Sequence, residues 1–187
     1  MLIPPNIVPE NRLSHNLLIA TPAMRDGCFD KSVVFMVQHN AKDGSIGLIL
    51  NHDTGKKVGD LLSTNDFKPL SDLPVYFGGP VENDQLVFAS FEWTDTTELK
   101  CEFHIPLGKA VEAHQSTKKF VRVFVGHSTW QPGQLTNELK QHAWFTAFTR
   151  PPLLDLPAGE LLWRDTLSGL STFHHLISLT PENPTLN

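Results

Sequence analysis

The apolar runs of this chain are short, and each is closed within a few residues by proline, glycine or aspartate. Runs of that kind, rich in Val, Ile, Leu and Phe, are strands joined by turns. Leu17–Ala20, Val33–Val37 and Ile46–Leu50 are predicted strands. Val75–Phe77 and Leu86–Ser90 follow on either side of Gly78-Gly79-Pro80, and Glu102–Ile105 and Val121–Val125 complete the set. Helical spacing is rarer. Val58, Leu61 and Leu62 share one helical face after Thr54, and Lys109–Lys119 is a second, more polar candidate. Pro132 to Phe148 carries the strongest signal, with Leu135, Leu139, Ala143 and Phe148 near a period of about 3.6 residues. Proline suits the first turn of that helix, and Pro151-Pro152 closes it. Several strands precede the main helix without regular alternation, which argues for an α+β fold rather than a doubly wound parallel sheet.

With 187 residues, 40% hydrophobic and 19% charged, residues 1–187 read as one domain. A domain of that size buries roughly 70% of its unfolded surface and needs no metal or disulfide staple. Proline dominates the first nine residues and returns at Pro181 and Pro184, so both ends are expected to be extended or frayed. No apolar stretch approaches the ~20 residues of a membrane-spanning helix. The N-terminus lacks the basic start and apolar run of a secretory signal. Cys28 and Cys101 form neither a disulfide framework nor a Cys-x-x-Cys site, and a cytoplasmic location is the expectation. Fifteen Lys and Arg against twenty Asp and Glu give a net charge of −5, which disfavours binding to nucleic-acid phosphates.

The most tempting chemistry lies where the apolar run Val121–Val125 enters Gly126-His127-Ser128-Thr129-Trp130 and then the main helix. A strand–turn–helix is the setting of a serine nucleophile elbow, with Asp155 or Asp165 and then His174 or His175 following in hydrolase order. Trp130 occupies the place of the second glycine, which relieves crowding at such an elbow, so the non-catalytic reading is preferred. Gly78-Gly79-Pro80 is read as a turn, with an anion-binding nest as the alternative. Asp43-Gly44-Ser45-Ile46-Gly47 leads into a strand and not a helix, so it is a hairpin turn and not a phosphate loop. The nine histidines show no metal-ligand spacing, and no metal site and no cofactor are expected. Glu138 and His142, at i and i+4, read as a surface contact, and Cys28 as a small core residue.

Four blocks of residues, taken in order, resemble the YqgE/AlgH family. They are Leu18-Ile19-Ala20-Thr21-Pro22-Ala23-Met24-Arg25-Asp26 with Phe29 and Ser32-Val33-Val34, then His39-Asn40 with Gly44 and Ile46-Gly47-Leu48-Ile49-Leu50-Asn51. Val75-Tyr76-Phe77-Gly78-Gly79-Pro80-Val81 follows, and last Trp130-Gln131-Pro132-Gly133-Gln134-Leu135 with Glu138 and Ala143-Trp144. The match runs from about Leu13 to Leu170. Where the family usually has Gly-Tyr-Ala-Gly-Trp, this chain has Gly126-His127-Ser128-Thr129-Trp130, and an alanine is thus typical at the place of Ser128. Thr136 stands where the family prefers Glu, and the tail from Ser171 departs from the usual ending.

The resemblance implies a bifurcated, largely antiparallel sheet forming a pseudo-barrel with flanking helices. Some members carry a transcriptional-regulator label tied to alginate control, but no helix-turn-helix spacing or basic face accompanies it here. The family has no established catalytic residues to carry over. The functional expectation is a non-enzymatic module that binds a small ligand or a protein partner. Its surface would be built from Asp26, His39, Asn51, Gly78, Gly79, Trp130 and Gln134, the polar, glycine and aromatic members of these blocks. The alternatives are a hydrolase using Ser128 with a C-terminal histidine, and a nucleic-acid-binding regulator.

Overall fold

Short apolar runs and turns translate into nine strands among the described residues of the computed structural model, which are 8–62, 64–94, 98–151 and 158–179. The chain passes through β1 (Leu17–Ala20), β2 (Val33–Asn40), β3 (Gly44–Ile49) and β4 (Asp53–Lys57) before a one-turn helix, α1 (Val58–Leu61). After β5 (Pro74–Phe77) come the long β6 (Val81–Thr94) and β7 (Glu98–Glu102), then helix α2 (Leu107–Gln115) and β8 (Lys119–Trp130). Helix α3 (Gln134–Lys140), β9 (Trp144–Ala147) and the helices α4 (Glu160–Ser168) and α5 (Thr172–Ser178) complete it.

The sheet runs β4-β5-β8-β3-β2-β1-β9, with β6 also on β8 and β7 on β6. Only β5 lies parallel to its neighbour β8; the other pairings are antiparallel. The first part of β8 pairs with both β5 and β6, and its last residues, Ser128 to Trp130, pair with β3. The sheet therefore divides around one strand and curls into a half-barrel, as the resemblance implied.

Successive side chains of a strand point to opposite faces, and here both faces are covered. Leu17, Ile19, Val33, Phe35, Leu48 and Leu50 enter one cluster, which α4 closes with Leu162, Trp163 and Leu167. Leu18, Ala20, Val34, Met36 and Ile49 enter a second, with Trp130, Leu135 and Trp144. This is why these strands read as continuous apolar runs instead of alternating ones. A third cluster, including Val75, Val121 and Val123, lies under Ala110 and Ala113 of α2. The outer faces of α4 and α5 leave Leu161, Phe173, Leu176 and Leu179 exposed. No described helix is long and apolar enough to cross a membrane.

Several predicted elements are corrected. The helix expected over Pro132–Phe148 stops at Lys140, and Trp144–Ala147 instead forms β9 against β1. His142 at φ +56° turns the chain out of the helix, and aromatic and β-branched residues then fit an edge of the pleated sheet. The strand expected at Glu102–Ile105 is shifted to Glu98–Glu102, because His104 at φ +57° breaks the extended run. The helix expected at Lys109–Lys119 is α2, which ends at Gln115, and Lys119 already belongs to β8. The polar β4 and the helices α4 and α5 were not anticipated. Val8 is buried, with its N–H donated to Thr146 Oγ1 at 3.2 Å. Pro152, Asp155, Pro181 and Pro184 lie outside the described residues.

Candidate functional site

The β2–β3 hairpin positions the first group. Its turn, Ala41-Lys42-Asp43, brings His39 opposite Ser45, and Ser45 in turn lies opposite Trp130 of β8. His39, Ser45 and Trp130 therefore form one row across three strands. His39 Nδ1 and Ser45 Oγ share a hydrogen bond of 2.8 Å, and the His39 N–H donates to Ser14 Oγ at 2.9 Å. The imidazole side chain is only 5% exposed, with its Nε2 facing Glu10 Oε1 at 3.7 Å. Glu10 is held from the other side by the Thr136 hydroxyl of α3. Beside these residues lies a cleft of about 650 Å³ lined by Glu10, Asn11, His39, Asn40, Ala41 and Thr136. Glu10 and Thr136 were not among the expected site residues. They lie far apart in sequence and meet only because the chain start and α3 flank the same hairpin.

Trp130 and Gln134 belong to a neighbouring network centred on Glu138. The carboxylate Oε2 accepts the indole N–H of Trp130 and that of Trp144, both at 2.8 Å, while Oε1 accepts from Gln134 Nε2 at 2.9 Å. Gln134 Oε1 accepts the Gln131 N–H at 3.0 Å, fixing the start of α3. Trp130 and Trp144 pack edge to face, with Phe29 against both. Glu138 is thus the central acceptor of a tryptophan cluster, not the surface partner of His142 that the i,i+4 spacing suggested.

The remaining expected residues lie elsewhere. Asn51 is buried, accepts the Val33 N–H at 2.8 Å and donates to the carbonyls of Lys31 and Gly159 at 2.9 and 3.0 Å, so its amide joins three backbone segments. Asp26 is exposed, and its Oδ1 accepts the Phe29 N–H at 2.7 Å, ordering the turn between β1 and β2. The Gly78 N–H donates to Val125 O, and the Gly78 carbonyl accepts from Ile49 N and Ser128 Oγ. That N–H is spent inside the sheet, which argues against an anion nest. Gly78-Gly79-Pro80 does turn the chain, but β5 and β6 do not pair with each other; both flank β8.

The elbow reading fails on geometry. Gly126-His127-Ser128-Thr129-Trp130 continues β8 instead of turning, and Ser128 is fully buried with its hydroxyl on the Gly78 carbonyl. His174 spends Nδ1 on Ser171 Oγ at 2.7 Å and packs on Phe145. Cys28 is half-buried and not a core residue; Cys101 has its thiol pushed up to about 12 by burial, so it is unreactive at neutral pH. A second recess of about 350 Å³ lies between β6 and α2, but Lys119 there is already paired with Glu102 at 2.9 Å.

Burial lowers the pKa of His39, His52, His127 and His174 below the ordinary 6.5, with Glu10 opposing the shift at His39, Asp30 at His52 and Glu82 at His127. The folded state then binds fewer protons than the unfolded chain once these groups begin to titrate. Their stabilisation is fully present above 6.5 and is lost as pH falls from there through the folded values. Urea midpoints measured from about pH 7.5 to about pH 5.5 are expected to fall before the carboxylates titrate; a flat profile would contradict this burial.

A mixed sheet divided around one strand, with helices on its outer faces and a cleft at one hairpin, defines an α+β half-barrel protein. The model of the AlgH-like family matches residues 17–173, and the chain belongs to that family. A UPF0301 protein of Streptomyces coelicolor is 30% identical, the match covering 94% of this chain and 95% of that one. A UPF0301 protein of Dechloromonas aromatica is 32% identical over 80% of this chain and 86% of its own. Among solved structures, protein DIP2367 of Corynebacterium diphtheriae superposes with a TM-score of 0.72 at 22% identity, covering 94% of both chains, and supports the fold. The AlgH protein of Pseudomonas aeruginosa matches with a TM-score of 0.64 at 26% identity, covering 93% of this chain and 97% of its own.

Proposed function

We propose that this protein is a non-enzymatic, cytoplasmic binding module whose ligand occupies the His39 cleft. One observation carries the reading: the cleft wall sets an imidazole, its ring held by Ser45, beside the Glu10 carboxylate. Burial holds the His39 pKa below its ordinary value, and Glu10 is the acidic side chain of the lining. The chemistry that fits is a small polar molecule with a cationic nitrogen for Glu10 and further hydrogen-bonding groups for Asn11, Asn40 and Thr136. A phosphorylated ligand would meet a carboxylate without a compensating cation on the wall.

Ser45, His39 and Glu10 are the residue types of a hydrolytic triad, yet their arrangement speaks against catalysis. Ser45 is buried and outside the cleft lining, so its hydroxyl has no route to a molecule bound there. Glu10 stands 3.7 Å from the ring, beyond hydrogen-bond reach. The lining of the cleft includes no serine or cysteine.

The test is a thermal-shift panel of amines, guanidines, amino acids, nucleotides and phosphorylated metabolites on the purified chain. A ligand at ~100-fold its dissociation constant adds about 2.7 kcal/mol, a shift of roughly 5–10 °C. A cationic or zwitterionic hit is expected, and the shift should vanish in His39→Ala and Glu10→Gln. A hit that stabilises both variants as much as wild type, or one confined to phosphorylated compounds, would overturn the assignment.

A further inference from the structure

Away from this cleft, three polar side chains converge from three parts of the chain. Glu82 lies at the start of β6, where the neighbouring Val81 pairs with His127 of β8 before the register shifts. His104 lies in the loop between β7 and α2, which the Ile105 N–H ties to the Phe88 carbonyl at 3.0 Å. Glu82 Oε2 stands 3.7 Å from His127 Nδ1 and 3.9 Å from His104 Nε2, and the three ligand atoms lie within 4.8 Å of one another. We propose that Glu82, His104 and His127 bind one divalent transition-metal ion of the zinc class.

His127 gives the strongest support. The residue is 8% exposed, and its buried Nδ1 has no hydrogen-bond partner. An unsatisfied buried polar atom is costly and rare, and this one faces a carboxylate and a second imidazole at distances too long for hydrogen bonds. An ion between them satisfies all three. Glu82 and His104 both sit in the left-handed region, at φ +52° and +57°, a conformation that a glutamate seldom adopts. Phe103 packs its ring edge-on to both imidazoles, with centroids 4.6 and 5.6 Å away, and walls off one side of the cluster.

Two imidazoles and one carboxylate suit zinc and its neighbours better than calcium or magnesium, which take oxygen sets. Around a tetrahedral ion with bonds of about 2.0–2.1 Å, ligand atoms stand roughly 3.3 Å apart. The set must draw in by about an ångström. Rotation of the Glu82 and His104 side chains, each 49% exposed, can supply that while His127 stays fixed. A solvent molecule would take the fourth position.

Calorimetric titration of the untagged full chain with zinc tests this. One ion per chain is expected, with calcium and magnesium giving no comparable binding. Glu82→Gln and His104→Ala alter half-exposed side chains and should fold as wild type by circular dichroism. Each should weaken zinc binding by at least ~100-fold, beyond the roughly 10–100-fold lost when a residue that only orients a ligand is removed. His114→Ala, in exposed α2 sequence, should bind as wild type. The absence of zinc binding by wild type, or unchanged affinity and stoichiometry in both variants, would overturn the site.

Discussion

Glu138→Ala is expected to lower the unfolding free energy by about 3–5 kcal/mol, a fall in melting temperature of roughly 10 °C or more. The reason is the count of donors it would strand. Trp130 and Trp144 are each 4% exposed, and both indole N–H groups end on the same carboxylate oxygen. Without it, each faces an apolar cluster, at about 1–3 kcal/mol for an unsatisfied buried donor. The start of α3 also loses the anchor that Gln134 provides. Glu138→Gln keeps an acceptor oxygen but not the charge, and should cost only about 1–2 kcal/mol. Urea unfolding followed by tryptophan fluorescence measures both. An alanine variant within about 1 kcal/mol of wild type would contradict the role assigned to Glu138.

Gly79→Ala is expected to cost about 3 kcal/mol or more, and to reduce the yield of folded protein. Gly79 holds φ +149°, and an added Cβ would land on Ser128 Oγ and on the His127 carbonyl. These are parts of β8, the strand around which the sheet divides, so neither can move without disturbing the pairings to β3 and β6. Gly108 supplies the opposite control. It lies within α2 with open space where a Cβ would go, and Gly108→Ala should stabilise by about 0.5–1 kcal/mol through helix propensity and unfolded-chain entropy. Equal effects of the two substitutions would mean that the close approach at Gly79 is not real.

What could be read from the linear chain followed how local its cause was. Leu17–Ala20, Val33–Val37 and Ile46–Leu50 were legible because strands buried on both faces are uninterrupted apolar runs. The β2–β3 hairpin was legible near Asp43-Gly44, although its turn is Ala41-Lys42-Asp43 and Gly44 to Gly47 already belong to β3. The extent of β8 was not, because Gly126 reads as a terminator, whereas here its φ of +68° bends a strand that continues to Trp130. Trp144–Ala147 was read as helix because Ala143 and Phe148 happen to extend the spacing of Leu135 and Leu139; only pairing with β1 decides otherwise. Among the site residues, His39 was singled out and does line the cleft, but its partners Glu10 and Thr136 depend on long-range packing. The same holds for Glu82, His104 and His127, whose spacing matches no ligand motif and whose proximity comes from strand register.

The central claim, that the His39 cleft receives a small cationic ligand, is tested most directly by an amide-resolved NMR titration of the full chain. Spermidine and L-arginine serve as probes, with inorganic phosphate as the opposite-charge control. Saturable shifts are predicted at residues 10, 11, 39–41 and 136 with at least one cationic probe, and they should be absent with phosphate and lost in His39→Ala. Shifts spread evenly over surface carboxylates, or a saturable site elsewhere that His39→Ala leaves intact, would contradict the account.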